Sequence, residues 1–190
     1  MTPLIITGCQ RSGTAWASVV LSASGWWCGH ERHIRTREPD PMPDHVVEAS
    51  WMAPAWGLGD VLLLRDPLAV ASSMHCRSVL SRPQPSGRFA YKHLPGLEDV
   101  PYPDRLLEYW VRWNRMAART TTTTWRLADM SAFQICETLE ASGRTPDYKR
   151  VEAALGLVGP QNVQPGVEPM NPAEFAPRLV EEARWMFATL

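Results

Sequence analysis

The chain has 190 residues, of which 45% are hydrophobic, and this length fits residues 1–190 as a single domain with its own core. It carries 19 Lys and Arg against 20 Asp and Glu, and this balance argues against a protein that coats nucleic acid or an anionic membrane. The four cysteines form no CxxC pair, so neither a zinc site nor a disulfide framework is predicted. Without a signal-peptide pattern or an apolar run of about 20 residues, we expect a cytoplasmic protein without stable membrane insertion.

The first part of the chain alternates short apolar runs with segments that are poor in helix breakers. The predicted elements are a strand over 4–7, a glycine-containing loop over 8–13, a helix over 15–24 and a second strand over 26–28 that ends at His30 and Glu31. Residues 32–56 are first rich in Arg and Pro and then, over 45–56, partly helical in pattern. We interpret 32–56 as a long surface loop.

A continuous apolar run from Val61 to Leu64 is typical of a strand buried on both faces of a parallel sheet. Asp66 and Pro67 supply an N-cap and a first-turn proline, so a helix should follow through Cys76. Residues 81–103 hold many prolines and glycines and predict a long loop, the best candidate for a lid. The remaining predicted elements are a helix over 104–119, a strand over 120–127 and helices over 129–141, 146–155 and 172–190. Strands alternating with helices predict a three-layer α/β fold around a mostly parallel sheet.

The segment from Gly8 to Thr14 lies between the first strand and the first helix, where a phosphate-binding loop belongs. Glycines let the backbone curl so that several N–H groups converge on one anion, and the helix N-terminus adds partial positive charge. The glycines match the nucleotide-hydrolase pattern GxxxxGK[ST], but Thr14 stands at its lysine position and Ala15 at its magnesium-ligand position. The loop keeps a cation at Arg11 and hydroxyls at Ser12 and Thr14, so it should hold phosphate without a metal.

The run from Arg11 to Trp16 resembles the 5′-phosphosulfate loop of sulfotransferases that use 3′-phosphoadenosine 5′-phosphosulfate (PAPS). The resemblance implies that Arg11 contacts the bridging oxygen and that Ser12, Gly13 and Thr14 bind the 5′-phosphate. It also implies that Trp16 stacks on adenine, with core packing of the first helix as the alternative interpretation.

A second motif follows a later strand, where Arg65 ends the strand and Ser73 lies eight residues further on. In the same sulfotransferases an Arg and a Ser at this spacing hold the 3′-phosphate, a role that the resemblance implies for Arg65 and Ser73. A salt bridge to Asp66 is the simpler interpretation of Arg65. Weaker likenesses extend over residues 4–130, with Ala128 at a position where the family commonly has Glu.

An acidic residue is the first candidate for the catalytic base. Residues 29–31, Gly-His-Glu, are similar to a stretch of several bacterial sulfotransferases in which an acid in this region is the base, which implies Glu31. The alternative is a solvated acid among nearby arginines, which would lower its pKa and weaken it as a base. His30 is the nearest alternative base. His30 and His33 together could suggest a metal site, but the sequence shows no third ligand, so no metal site is predicted.

His93 is a further candidate base. It lies in Lys-His-Leu-Pro at 92–95, which resembles the stretch that carries the catalytic His of cytosolic sulfotransferases. In this chain the stretch follows the Arg65 motif, whereas in the cytosolic sulfotransferases it precedes the corresponding motif. This difference in order argues against His93 being equivalent to their catalytic His. We therefore expect His93 to be a loop residue more than a base.

The two motifs together predict transfer of a sulfuryl group from PAPS to a hydroxyl or amine of a small-molecule, glycan or lipid acceptor, without a metal. The base takes the acceptor proton, and Arg11 neutralises charge on the bridging oxygen as adenosine 3′,5′-bisphosphate leaves. The predicted loops would shape the acceptor cleft, with apolar walls from Trp51, Trp56 and Trp110. Two alternatives stay open: a P-loop nucleotide or sugar kinase, and a sulfotransferase-like domain that binds nucleotide without catalysis. The acceptor and the oligomeric state cannot be derived from the sequence, and no nucleic-acid partner is expected.

Overall fold

A parallel sheet organises the computed structural model, which describes residues 2–158 and 169–190. Within these ranges five strands form one sheet in the order β2-β3-β1-β4-β5, and every neighbouring pair is parallel. The strands are β1 (Leu4–Thr7), β2 (Cys28–His30), β3 (Val47–Ala49), β4 (Val61–Leu64) and β5 (Thr123–Arg126). The predicted α/β fold with a parallel central sheet is confirmed.

Helices follow the strands along the chain, and side-chain caps explain several of their starts. In the described ranges they are α1 (Thr14–Ala23), α2 (Pro67–Cys76), α3 (Pro85–His93), α4 (Asp104–Ala117), α5 (Ala132–Ala141), α6 (Tyr148–Leu157) and α7 (Pro177–Thr189). Asp66 caps α2 and Asp147 caps α6. Ser131 and Gln134 form a capping box, so α5 begins at Ala132 and not at Asp129 as predicted. None of the described helices is long and apolar enough to cross a membrane.

Successive strand residues point to opposite faces of the sheet, and the structure has a separate apolar core on each face. Ile5, Leu62 and Leu64 pack with α2, α4 and α7 on one face. Ile6 and Leu63 pack with α1, α5 and α6 on the other. Helices therefore cover both faces, and the described residues form three layers.

The segment 32–56, which we interpreted as a loop with a partly helical end, contains a strand of the sheet. Its strand β3 lies between β2 and β1 and is parallel to both. Glu48, in the middle of β3, interrupts the apolar pattern that would have indicated a strand. Only the short 3-10 helix at Ala53–Trp56 agrees with the predicted helical character.

The segment 81–103, predicted to be a loop and a candidate lid, contains helix α3. Pro85 occupies the first turn of α3, where proline is tolerated because its missing N–H would be unpaired anyway. Phe89 and Ala90 are buried in the core that α2 and α4 also line. The prolines of this segment mark the ends of a packed helix, and the interpretation of the whole segment as an irregular lid is wrong.

Candidate functional site

The carboxyl ends of the strands meet at one edge of the sheet, which is where open α/β sheets bind ligands. The loop 8–13 follows β1, Glu31 follows β2, Trp51 closely follows β3 and Arg65 follows β4. Because the strands are parallel, segments that are far apart in the sequence come together at this edge.

Two glycines shape the loop between β1 and α1. At Gly8 an added Cβ would overlap the carbonyl oxygen of Leu63 on the neighbouring strand. Gly13 has a φ of 112°, and Arg11 also adopts the left-handed region with a φ of 72°. The backbone of the loop is therefore tightly turned, and one of its left-handed residues, Arg11, is not a glycine.

Helix α4 braces the loop from behind. The N–H of Cys9 donates to Oδ1 of Asn114 at 3.1 Å, and the N–H of Gln10 donates to the hydroxyl of Tyr109 at 3.3 Å. Both α4 side chains are fully buried. Neither residue was predicted as a site residue, because their contacts with the loop are tertiary.

The front of the loop has unused hydrogen-bond donors. The N–H of Ser12 donates to the carbonyl oxygen of Cys9 at 3.1 Å. Nothing in residues 2–158 and 169–190 accepts a hydrogen bond from the N–H groups of Arg11, Gly13 or Thr14. The buried hydroxyl of Ser12 likewise has no partner there. Unpaired donors beside a helix N-terminus are typical of an anion site.

The two predicted phosphate-binding motifs contact each other. Nε of Arg11 donates to Oγ of Ser73 at 2.9 Å, and an Nη of Arg65 donates to the carbonyl oxygen of Arg11 at 3.3 Å. Asp66 caps α2 instead, through the N–H of Ala69 at 2.8 Å. No salt bridge between Arg65 and Asp66 occurs in the described structure, so the simpler interpretation of Arg65 does not apply.

Positive charge accumulates around this contact. Burial lowers the pKa of Arg11, and repulsion from Arg77 and Arg65 adds to the effect. Burial also lowers the pKa of Arg65. Within the ranges that the structure describes, neither Arg11 nor Arg65 forms a salt bridge with a carboxylate. Arg77 was missed, yet it follows Ser73 by four residues, the spacing that places two residues on one face of a helix.

A cavity of about 240 Å³ opens beside the loop. Its lining comprises Gln10, Arg11, Gly13, Thr14, Ala15, His30, Glu31 and Trp51. Nε2 of His30 lies 3.4 Å from Oγ1 of Thr14 and 3.4 Å from Oε1 of Glu31. The cavity thus brings together the loop with unpaired donors and two of the three candidate bases.

The environment of the cavity alters the acidity of both candidates. Burial raises the pKa of Glu31, repulsion from Glu48 adds to this, and the indole of Trp51 opposes it. Burial lowers the pKa of His30. The pKa of Glu31 is therefore raised, whereas a solvated acid among arginines would have a lowered pKa. Among the residues described, no three His, Cys, Asp or Glu side chains are grouped to hold a metal ion.

Trp16 and His93 lie away from the cavity lining. The indole of Trp16 is 6% exposed and donates to the carbonyl oxygen of Val158 at 3.0 Å, which favours core packing over adenine stacking. The ring of His93 packs 4.5 Å from that of Phe89 and 5.8 Å from that of Trp56. Of the three tryptophans suggested as cleft walls, only Trp51 lines the cavity.

Comparisons with known proteins add no assignment. A scan against protein-family models finds no match for this chain, and a search of curated proteins finds none either. A functional conclusion therefore depends on the residues of the site.

Proposed function

We propose that this protein is a sulfotransferase that moves a sulfuryl group from PAPS to a hydroxyl or amine acceptor. The observation that carries the proposal is the hydrogen bond between Arg11 and Ser73, at the edge of a loop with unpaired donors. It supports two neighbouring phosphate sites, because it joins the loop after β1 to the motif that follows β4. A ligand with two separate phosphate groups needs such a pair of sites, which a ligand with one phosphate chain does not.

The residues divide between the two phosphates of the ligand. The N–H groups of Gly13 and Thr14 and the hydroxyl of Ser12 are free to bind the 5′-phosphate. Arg65 and Ser73 would bind the 3′-phosphate, with a charge-assisted hydrogen bond from the guanidinium.

Transfer requires a base on one side of sulfur and charge neutralisation on the other. Glu31 accepts the proton of the acceptor as the acceptor oxygen or nitrogen forms a bond to sulfur. The bond from sulfur to the bridging oxygen breaks, and adenosine 3′,5′-bisphosphate leaves with the negative charge. Arg11 uses Nε for Ser73, so its Nη groups are available to the bridging oxygen. No metal is needed in this scheme.

The kinase alternative fits the cavity less well. Ala15 lines the cavity at the position where a P-loop kinase has its magnesium-binding hydroxyl. The guanidinium of Arg11 also donates a hydrogen bond to Ser73 on α2. A kinase substrate with a single chain of phosphates has no second phosphate group that would bind there.

Thermal unfolding with adenosine 3′,5′-bisphosphate in the presence of EDTA tests the binding step. A ligand that binds only the folded state raises Tm, so we expect stabilisation of the wild type and little for Arg65→Ala. Arg178→Ala, an exposed arginine on α7, serves as the matched control and should respond as the wild type does. A wild type that is not stabilised would refute the proposal, and stabilisation by ATP with magnesium alone would favour the kinase.

Transfer itself is tested with PAPS and a panel of phenol, sugar and amine acceptors, with release of adenosine 3′,5′-bisphosphate as the readout. Binding without release for any acceptor would favour the non-catalytic alternative.

A further inference from the structure

A buried carboxylate lies directly beneath the candidate base. Glu48 occupies the middle of β3 and is 0% exposed. Burying a carboxylate costs free energy unless its oxygens are paired, so its presence in the sheet calls for a reason.

One carboxylate oxygen of Glu48 organises the turn that follows β2. Its Oε1 accepts hydrogen bonds from the N–H of Arg32 at 2.6 Å and from the N–H of His33 at 3.0 Å. These two residues come immediately after Glu31, whose φ of 55° lies in the left-handed region. The N–H of Glu31 donates to the carbonyl oxygen of Ala49 at 3.2 Å, so β3 holds all three residues of the turn.

The neighbouring strand makes room for this side chain. Gly29 is the register partner of Glu48 in the pairing of β2 with β3. An added Cβ on Gly29 would overlap Oε2 of Glu48, so a larger residue here would displace the carboxyl group from its present position. With glycine at this position, the side chain of Glu48 passes over β2 and reaches the turn.

The second carboxyl oxygen of Glu48 is not used by the turn. Its Oε2 is buried and has no hydrogen-bond partner among the described residues. Repulsion from Glu48 adds to the effect of burial in raising the pKa of Glu31. The other groups that face Glu31 are His30 from β2, Trp51 after β3, Tyr109 from α4 and Arg11 across the cavity.

We propose that Glu48 is the positioning residue of this site: its hydrogen bonds to the turn after β2 present Glu31 to the cavity, and its carboxyl group lies close enough to act on the proton of Glu31. This role rests on the proposed function, because it assigns Glu31 as the base. It explains why a charged residue stands in a buried strand, where an apolar side chain would pack at lower cost.

The charge effect is tested by NMR titration of the Glu31 carboxyl in protein labelled with ¹³C-glutamate, with the signal assigned from Glu31→Gln. Glu48→Gln keeps an oxygen that can accept from Arg32 and His33 but removes the charge. We expect the titration midpoint of Glu31 to move to lower pH in Glu48→Gln. Glu38→Gln, an exposed glutamate of the same segment, is the control and should leave the midpoint in place. An unchanged midpoint in Glu48→Gln would overturn the inference.

The positioning effect is tested by transfer kinetics. Glu48→Ala removes the acceptor for the turn, and we expect kcat to fall about tenfold or more while KM for PAPS changes less than about twofold. Glu48→Gln should recover part of that kcat because it restores the turn. Equal kcat for Glu48→Ala and the wild type would refute the role, and if Glu48→Ala does not fold, the titration of Glu48→Gln decides.

Different results would refute the proposed function and the role of Glu48. A wild type that neither binds adenosine 3′,5′-bisphosphate nor transfers sulfate refutes the proposed function, whereas a shifted Glu31 midpoint in Glu48→Gln would still support the link between the two carboxylates. A wild type that transfers sulfate while its Glu31 midpoint ignores Glu48 refutes only the inference.

Discussion

Glu31 combines a left-handed backbone, partial burial and a carboxylate neighbour, and each of these affects its proton. A carboxyl whose pKa is raised accepts a proton more readily near neutral pH, which is what a general base requires. The same shift has a consequence for stability, because the folded state binds the proton more tightly than the unfolded chain does.

The first prediction concerns Glu31→Gln. We expect transfer to fall by about 100-fold or more, while Tm still rises with adenosine 3′,5′-bisphosphate. In the wild type, activity should rise with pH as Glu31 loses its proton, and the midpoint of this rise should lie above the ordinary carboxyl pKa of 4.5. Retained transfer in Glu31→Gln would remove Glu31 from the mechanism, and His30→Ala would then be the next variant to assay.

Glu31→Gln should also change the dependence of stability on pH. With a raised folded pKa, the favourable contribution of the protonated carboxyl is complete below about pH 4.5 and is lost as pH rises through the folded pKa. The variant should therefore be more stable than the wild type at pH 7 and equally stable near pH 4, as thermal unfolding at the two pH values can measure.

The second prediction concerns Ser73, which ties the two phosphate motifs together. Ser73→Ala removes the hydroxyl that we propose binds the 3′-phosphate, along with the acceptor for Nε of Arg11, and we expect affinity for adenosine 3′,5′-bisphosphate to fall about tenfold. Adenosine 5′-phosphate lacks the 3′-phosphate, so its affinity should change much less. Calorimetric titration with both nucleotides measures the difference, and equal losses for the two would contradict a 3′-phosphate role.

Among the helices and strands, the sequence predicted those whose residues follow a long or uninterrupted pattern. The four apolar residues of β4 and the capped start of α2 were sufficient for a correct assignment. Strand β3 has three residues with a glutamate at its centre, and a period of two cannot be established over so short a run. Helix α3 was missed because the prolines of the segment 81–103 that surrounds it are typical of a loop.

The site was predictable to the extent that it depends on local motifs. The loop and the Arg65 to Ser73 spacing are contiguous in the sequence, so their residue types could be compared with a known pattern. Asn114 and Glu48 act on other segments through tertiary contacts, and a single sequence carries no signal for such pairs. Arg77 had a signal, its helical spacing from Ser73.

The third prediction distinguishes the two interpretations of Trp16. Trp16→Phe loses the hydrogen bond to Val158 and part of the packing between α1 and α6, so we expect the free energy of unfolding to fall by about 1–3 kcal/mol. Affinity for adenosine 3′,5′-bisphosphate, measured well below Tm, should stay within about twofold of the wild type. A large loss of affinity with little loss of stability would favour adenine stacking instead.

For the molecule as a whole, a net charge of -1 conceals a local excess of positive charge. At the carboxyl edge of the sheet, Arg65 and Arg77 lie close enough to Arg11 to add to the lowering of its pKa by burial. The net charge did not argue against such a cluster, because a sum over the whole chain does not show where the charges lie.

The fourth prediction follows from this distribution. Raising the salt concentration from about 50 to 500 mM should weaken binding of adenosine 3′,5′-bisphosphate by about an order of magnitude, since ions screen the arginines from the phosphates. Adenosine, which has no phosphate, is the matched ligand and should bind independently of salt. Affinity for the bisphosphate that does not respond to salt would show that the arginines do not contact its phosphates.

The brace from α4 bears on how quickly a ligand could be captured. Asn114 and Tyr109 fix the back of the loop through Cys9 and Gln10, while the donors on its front have no partner among residues 2–158 and 169–190. The cradle therefore has its shape before a ligand arrives, and little chain entropy remains to be lost on binding. Association should be a single bimolecular step whose observed rate rises linearly with nucleotide concentration, without the plateau that a slow loop closure would impose.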